Sequence, residues 1–286
     1  MSIFINKYQM MQEANILKIV KAALAEDIGN GDVTSNYTVP KEQQAEFALL
    51  AKDDLILCGV DFFTLAFKEL DKNIDLTYFF KEGNKVKKGE VIASGIGNAR
   101  AILAAERVAL NLMQYMSGIA TKTQLFVAAV KSYPVEILDT RKILPFYREA
   151  AKYAVLTGGG KNHRICLDDQ VLIKDNHIIA AKNIATALKN CAKTGLKIEV
   201  ECETIAQVKE ALLYKPDIIM LDNMSLVNMV ESVKIINKKS KIEASGNINL
   251  ANIAKVAATG VDYISVGSLT HSVSASDLSL NLKILI

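Results

Sequence analysis

The sequence predicts an α/β protein in which a parallel β/α sheet of the barrel kind is joined to a smaller, β-rich amino-terminal part. Three observations carry this. After Tyr133, short apolar runs recur at VEILDT, VLIKD, KIEVEC, DIIMLD, KIEAS and YISVG. From VLIKD onward their ends fall at Asp175, Glu201, Asp222, Ser245 and Gly267, with gaps of 26, 21, 23 and 22 residues. Helical stretches such as IATALKNCAKTG, ETIAQVKEALLYK, LVNMVESVKIINKK and LANIAKVAATG fill those gaps, which is the strand–helix rhythm of parallel sheets. Before that region, residues 46–97 change to short apolar runs broken by turns. Six or seven strands are expected in the β/α part, fewer than the eight of a complete barrel.

Taken in order, NILKIVKAALAED (residues 15–27) is amphipathic at helical spacing, and Gly29 and Gly31 end it. The β-rich stretch follows. Its piece KEGNKVKKGEVIASG is similar to the hairpin of lipoyl- and biotinyl-type domains, but no lysine stands in a carrier tip motif. Its glycines serve the turns themselves, so the stretch reads as a sandwich-like layer. From Ala101 to Ala129 a long helix is expected, interrupted near Ser117 and Gly118. The tail from His271 to Ile286 is apolar and is expected to pack back on the body. These readings give an N-terminal α/β sandwich domain at 1–112, completed by about 271–286, and an α/β-barrel domain at 113–270.

Bulk properties exclude several classes of function. The 286 residues are half hydrophobic, enough for a large core. With 34 basic and 31 acidic residues the net charge is only +3, too weak to argue for nucleic acid or membrane surfaces. Cys58, Cys166, Cys191 and Cys202 show no CxxC spacing, so neither a disulfide framework nor a zinc site is expected. The opening residues show no basic-then-apolar signal pattern, and no apolar run approaches the roughly 20 residues that span a bilayer. A cytoplasmic location is expected.

In β/α barrels the active site lies at the carboxyl ends of the strands. Here those ends carry Asp139-Thr140-Arg141-Lys142, Lys174-Asp175, Glu201, Asp222-Asn223, Ser245-Gly246 and Gly267-Ser268. Helix capping accounts equally well for Asp175, Asn223 and Ser268. It does not account for Arg141, Lys142, Lys174 or Glu201, which are not capping residues. Arg141, Lys142, His163, Arg164 and Lys174 form a cationic set suited to a small polyanion, since Arg binds carboxylates and phosphates bidentately and Lys acts as a point charge. Gly158-Gly159-Gly160 reads as a helix C-cap, and also lets backbone approach an anion just before Lys161. The loops SGNI and SVGS each precede a late helix, the usual place of a barrel phosphate site. Neither GxxxxGK[ST] nor GxGxxG is present. Of three histidines, His163 is the better candidate ligand, His177 either binds or braces its loop, and His271 is left open. Glu201 and Asp222 are the acidic pair of the rim, suited either to Mg²⁺ or to acid/base work. Lys174 also admits a Schiff-base aldolase reading.

The motifs AEDIGNGDVTS, ERVALNLMQYMSGIAT, DTRK, GGGKNHR, LIKDNH, LDNM and SVGSLTHS follow one another in an order that resembles the quinolinate phosphoribosyltransferase family. The resemblance covers nearly the whole chain. It departs at DTRKILPF, where the commoner form is DTRKTxPG, and at ASGN, where SGG is usual. A neighbouring family associated with molybdenum transport shares much of the pattern but is ranked second, because the full cationic set is present here. The resemblance implies the open α/β barrel of type II phosphoribosyltransferases. It also implies conversion of quinolinate and phosphoribosyl pyrophosphate to nicotinate mononucleotide, pyrophosphate and CO₂ in NAD biosynthesis. By the same resemblance quinolinate meets Arg141, Lys142, His163, Arg164, Lys174 and, from a neighbouring subunit, Arg107. Phosphoribosyl pyrophosphate meets Lys142, Lys174, Glu201, Asp222, Ser245, Gly246, Gly267 and Ser268, with Mg²⁺ at Glu201 and Asp222. Lys142, Glu201 and Asp222 are the implied catalytic groups, and a homodimer or higher homo-oligomer with a shared site is implied.

Overall fold

The computed structural model of the chain describes residues 12–285. The opening residues, where the sequence shows no signal pattern, lie outside them. Among the described residues no helix is long and apolar enough to cross a membrane. Two compact units are present. One holds Leu125–Leu144 and Gly160–Ser272; the other holds the described residues up to Gln124, Pro145–Gly159 and the described residues from Val273.

The amino-terminal unit begins with α1 (Glu13–Ile28), which buries Ile16, Val20 and Leu24 at i, i+4 and i+8. Helix α2 (Val33–Thr38) is capped by Asp32, whose carboxylate accepts the Ser35 N–H at 3.0 Å. Strand β1 (Gln44–Ala51) alternates, burying Ala45, Phe47, Leu49 and Ala51. After it come β2 (Leu55–Ile56), α3 (Val60–Leu70), β3 (Asp75–Tyr78), β4 (Lys85–Val86) and β5 (Val91–Asn98). Phe47 of β1 packs on Phe63 and Phe67 of α3, with ring centroids 6.3 and 5.1 Å away. Gly95 of β5 faces Phe47 in register, and a Cβ there would stand 2.5 Å from that ring. Helix α4 (Ala99–Ala129) runs without the expected break. Gly118 is needed for contact instead: a Cβ would lie 2.3 Å from the Ser274 carbonyl oxygen. Ser117 Oγ accepts the Cys58 N–H at 3.0 Å and donates to the Cys58 carbonyl at 3.1 Å.

The other unit carries β6 (Glu136–Leu138), β7 (Val171–Ile173), β8 (Ile198–Cys202), β9 (Ile218–Asp222), β10 (Lys241–Ser245) and β11 (Tyr263–Ser265). These six strands form one parallel sheet in the order β6-β11-β10-β9-β8-β7. The first strand pairs with the last, and among the described residues no ladder joins β6 to β7. This is a barrel left open at one seam. Leu138, Ile218 and Tyr263 share one buried cluster although β6 and β9 are three strands apart, so the sheet curls around its core. Between the strands, helices start at Asn183, Thr204 and Ser225, whose side chains accept N–H groups of the first turn. Past the barrel, β12 (Leu278–Ile284) returns to pair antiparallel with β1, giving the sheet order β12-β1-β5-β3.

Candidate active site

The loop after β6 is built around Asp139, which is fully buried. Its carboxylate accepts the His163 N–H at 2.9 Å and the Asn162 side-chain amide at 2.7 Å. Lys161 extends the sheet edge, donating to Ile137 O at 2.8 Å. Arg141 is thereby held near enough to Arg164 for their charges to interact. Burial, and then the charge of Arg141, lowers the pKa of Arg164. Two guanidinium groups this close are unfavourable unless an anion joins them. The buried Nε atoms of Arg141 and Arg164 make no hydrogen bond. Lys142 reaches the loop after β11: Thr270 Oγ1 donates to its carbonyl at 2.8 Å, and its side chain crosses Gly267.

The other half of the rim is acidic. Lys174 Nζ lies 3.2 Å from Glu201 Oε2. Burial raises the Glu201 pKa; Lys174 opposes this and Asp222 adds to it. Asp222 accepts the Asn223 side-chain amide at 2.7 Å, and Asn247 donates to Asn223 Oδ1 at 3.0 Å. Gly246, at φ 97°, passes so close that a Cβ would stand 2.2 Å from Asn223 Oδ1. Ser245–Asn247 and Asp222–Asn223 are therefore one interlocked pair of loops. Capping does not explain Asp175, Asn223 or Ser268, whereas Lys174, which the sequence reading set apart from capping residues, does stand at an N-cap. The caps fall at Lys174, Ser225 and Gly267, while Asp175 and Ser268 are first helical residues and Asn223 has φ 52°. His177 Nδ1 accepts the Lys174 N–H at 3.0 Å and so braces its loop. Gly158 closes the helix Arg148–Thr157 and packs under the Ala120 carbonyl.

Beneath the rim lies a cluster that the sequence reading did not single out. His163 Nε2 is 3.0 Å from Glu199 and 3.5 Å from Glu243, and both glutamates are fully buried. Burial, followed by the Glu243 charge, pushes the Glu199 carboxyl up to about 7. Burial disfavours charge on His163, while Glu199 and Glu243 favour it and push its pKa up; the hydrogen-bond geometry decides against a doubly protonated ring, since an Nδ1 that accepts an N–H cannot carry a proton. Nδ1 accepts the Arg164 N–H at 2.7 Å, so the ring proton lies on Nε2, between the carboxylates. The signal was present in the sequence: IEVEC and KIEAS each put a glutamate in the middle of an apolar strand.

Comparison with known proteins decides the family. The quinolinate phosphoribosyl transferase N-terminal domain description matches residues 32–117, and the C-terminal domain description matches 119–281. The chain belongs to the quinolinate phosphoribosyl transferase family. A tobacco (Nicotiana tabacum) relative, quinolinate phosphoribosyltransferase [decarboxylating] 2a, mitochondrial, is 44% identical over 92% of this chain and 81% of its own. The probable nicotinate-nucleotide pyrophosphorylase [carboxylating] of Bacillus subtilis is 40% identical over 96% of each chain. The solved nicotinate-nucleotide pyrophosphorylase of Francisella tularensis superposes with a TM-score of 0.93 at 39% identity, covering 98% of this chain and 100% of that one. Within this family's barrel, Arg141, Lys142, Lys174, Glu201, Asp222, Ser245, Gly246, Gly267 and Ser268 stand at or just past strand ends, His163 and Arg164 follow the bridge that Lys161 makes to Leu138, and all of them belong to one unit. Arg107 belongs to the other unit. It is exposed on α4, and its side chain makes no hydrogen bond or ion pair among the described residues.

Proposed function

We propose that this chain joins quinolinate to phosphoribosyl pyrophosphate, releasing nicotinate mononucleotide, pyrophosphate and CO₂ for pyridine-nucleotide synthesis. The observation that carries this is the division of one barrel rim into a cationic and an acidic half in a member of this family. Arg141 and Arg164 supply forked donors for the two adjacent ring carboxylates, and Lys142 adds charge. Glu201 and Asp222 face the ribose. As pyrophosphate leaves, positive charge grows on the sugar ring, and carboxylates fixed in a low-dielectric rim stabilise it. The ring nitrogen of quinolinate then bonds to the anomeric carbon while the bond to pyrophosphate breaks. Loss of CO₂ leaves an electron pair on the carbon beside the now cationic nitrogen, which stabilises it until a proton is taken up. Glu201 and Asp222 offer the hard oxygen donors that suit Mg²⁺, and the ion would offset charge on the departing pyrophosphate. Ser245, Gly246, Gly267 and Ser268 hold the 5′-phosphate in this reading.

Arg107 completes the pocket of a second copy in a homodimer or higher oligomer; its exposure and lack of an internal partner support this. The four free cysteines suit a reducing compartment such as the cytoplasm. The aldolase reading loses support, because Lys174 Nζ is engaged by Glu201 at 3.2 Å rather than left free to attack a carbonyl.

Incubation with quinolinate, phosphoribosyl pyrophosphate and Mg²⁺, followed by mass spectrometry, tests the reaction. Nicotinic acid is expected to be a poor substrate, since it leaves part of the cationic wall unpaired. Comparable turnover of the two acids would defeat the assignment. The acid limb of kcat/KM is also expected above the ordinary glutamate range, because Glu201 is raised and must be ionised to act. Lys174 favours that ionised form, so Lys174→Met moves the limb of the residual activity further up in pH. A limb that stays in place in this variant would dissociate it from Glu201.

A further inference from the structure

We propose that Glu199 and Glu243 are positioning residues that lock the His163 ring and, through it, the Arg164 backbone in the quinolinate wall. The inference rests on the proposed reaction, in which Arg164 binds a substrate carboxylate. Glu199 sits two residues before Glu201 on the same face of β8, and Glu243 two before Ser245 on the same face of β10. Both project into the layer directly under the rim. Each carboxylate is tethered a second time: Gln170 Nε2 donates to Glu199 at 2.9 Å, and Ser265 Oγ donates to Glu243. His163 stands between them, 6% exposed, with Nε2 toward both acids and Nδ1 accepting the Arg164 N–H. The loop closes through Gln170, whose carbonyl accepts Arg164 Nη1 at 3.1 Å.

Both ring nitrogens of His163 are therefore engaged inside the protein. The ring acts by holding Arg164 rather than by offering a nitrogen to substrate. Two buried carboxylates are a costly way to fill a barrel, and apolar side chains of similar size would stabilise the core as well. What they add is orientation: Nε2–H is fixed toward the acids, so Nδ1 is left as the acceptor that pins the Arg164 amide.

The test is a double-mutant cycle on the full chain. Glu243→Gln, and separately Glu199→Gln, is expected to raise KM for quinolinate about tenfold or more while KM for phosphoribosyl pyrophosphate stays within about twofold. In a His163→Asn background the same changes should add little, because the path to Arg164 is already cut. Additive effects, or equal rises in both KM values, would overturn the proposal. Should the glutamine variants fail to fold, ¹⁵N spectra of the wild-type histidines serve instead. They should show His163 as the Nε2–H tautomer with a slowly exchanging proton, and a ring protonated on Nδ1 sinks the idea. So does one metal ion per chain that disappears in Glu243→Gln, since a cation would then occupy the place given to that proton. The spectra report on the cluster even if the wild type does not turn over quinolinate, a result that would count against the reaction and not against the His163 geometry.

Discussion

Glu201→Gln and Asp222→Asn are each expected to lower kcat by roughly 10²-fold or more, with quinolinate binding intact. The two carboxylates stand on the acidic half of the rim, away from the Arg141–Arg164 wall. Their charge matters most when the sugar becomes cationic, so its loss appears in kcat rather than in ground-state affinity. Glu201 also holds Lys174 at 3.2 Å. Neutralising Glu201 leaves Lys174 free for an anionic ligand, so quinolinate binding should hold or tighten. Calorimetry with quinolinate alone checks this. Weakened quinolinate binding beside normal phosphoribosyl pyrophosphate binding would reverse the division of the rim.

The β/α repeat was legible because the barrel strands are largely buried on both faces and three of the helices between them carry side-chain caps at Asn183, Thr204 and Ser225, so the local signals agree with the fold. Gly118 misled the sequence reading because its reason is tertiary: the Ser274 carbonyl leaves no room for a Cβ. The two departures from the family pattern gain a physical setting. Phe146 and Asn247 stand where the family form has glycine, and both have left-handed backbone, φ 64° and 53°. Asn tolerates that region and uses its side chain to hold Asn223, whereas Phe146 is fully exposed and bears the strain without compensation. Nothing in the structure explains Ile143. Glu201 and Asp222, the candidate acids, were legible as polar ends of apolar strands. Glu199 and Glu243 were not singled out, because their meaning depends on His163 arriving from a different strand connection, which spacing along the chain does not reveal.

Arg107→Ala and Lys142→Ala should each abolish activity alone, yet partly restore it when the two variants are refolded together. Arg107 is exposed on α4 and Lys142 is exposed after β6, and neither has a side-chain partner within its own chain among the described residues. In the proposed two-fold dimer each surface is used reciprocally, and the proposed site takes Lys142 from one copy and Arg107 from the other. A mixed dimer then carries one site with both residues intact and one with both defects. Random mixing makes about half of the dimers mixed, so about a quarter of all sites recover. Native mass spectrometry can confirm the exchange, and activity per site gives the answer. Exchange without recovery means that Arg107 serves its own chain or no site at all, and the shared pocket is then wrong even if the barrel chemistry stands.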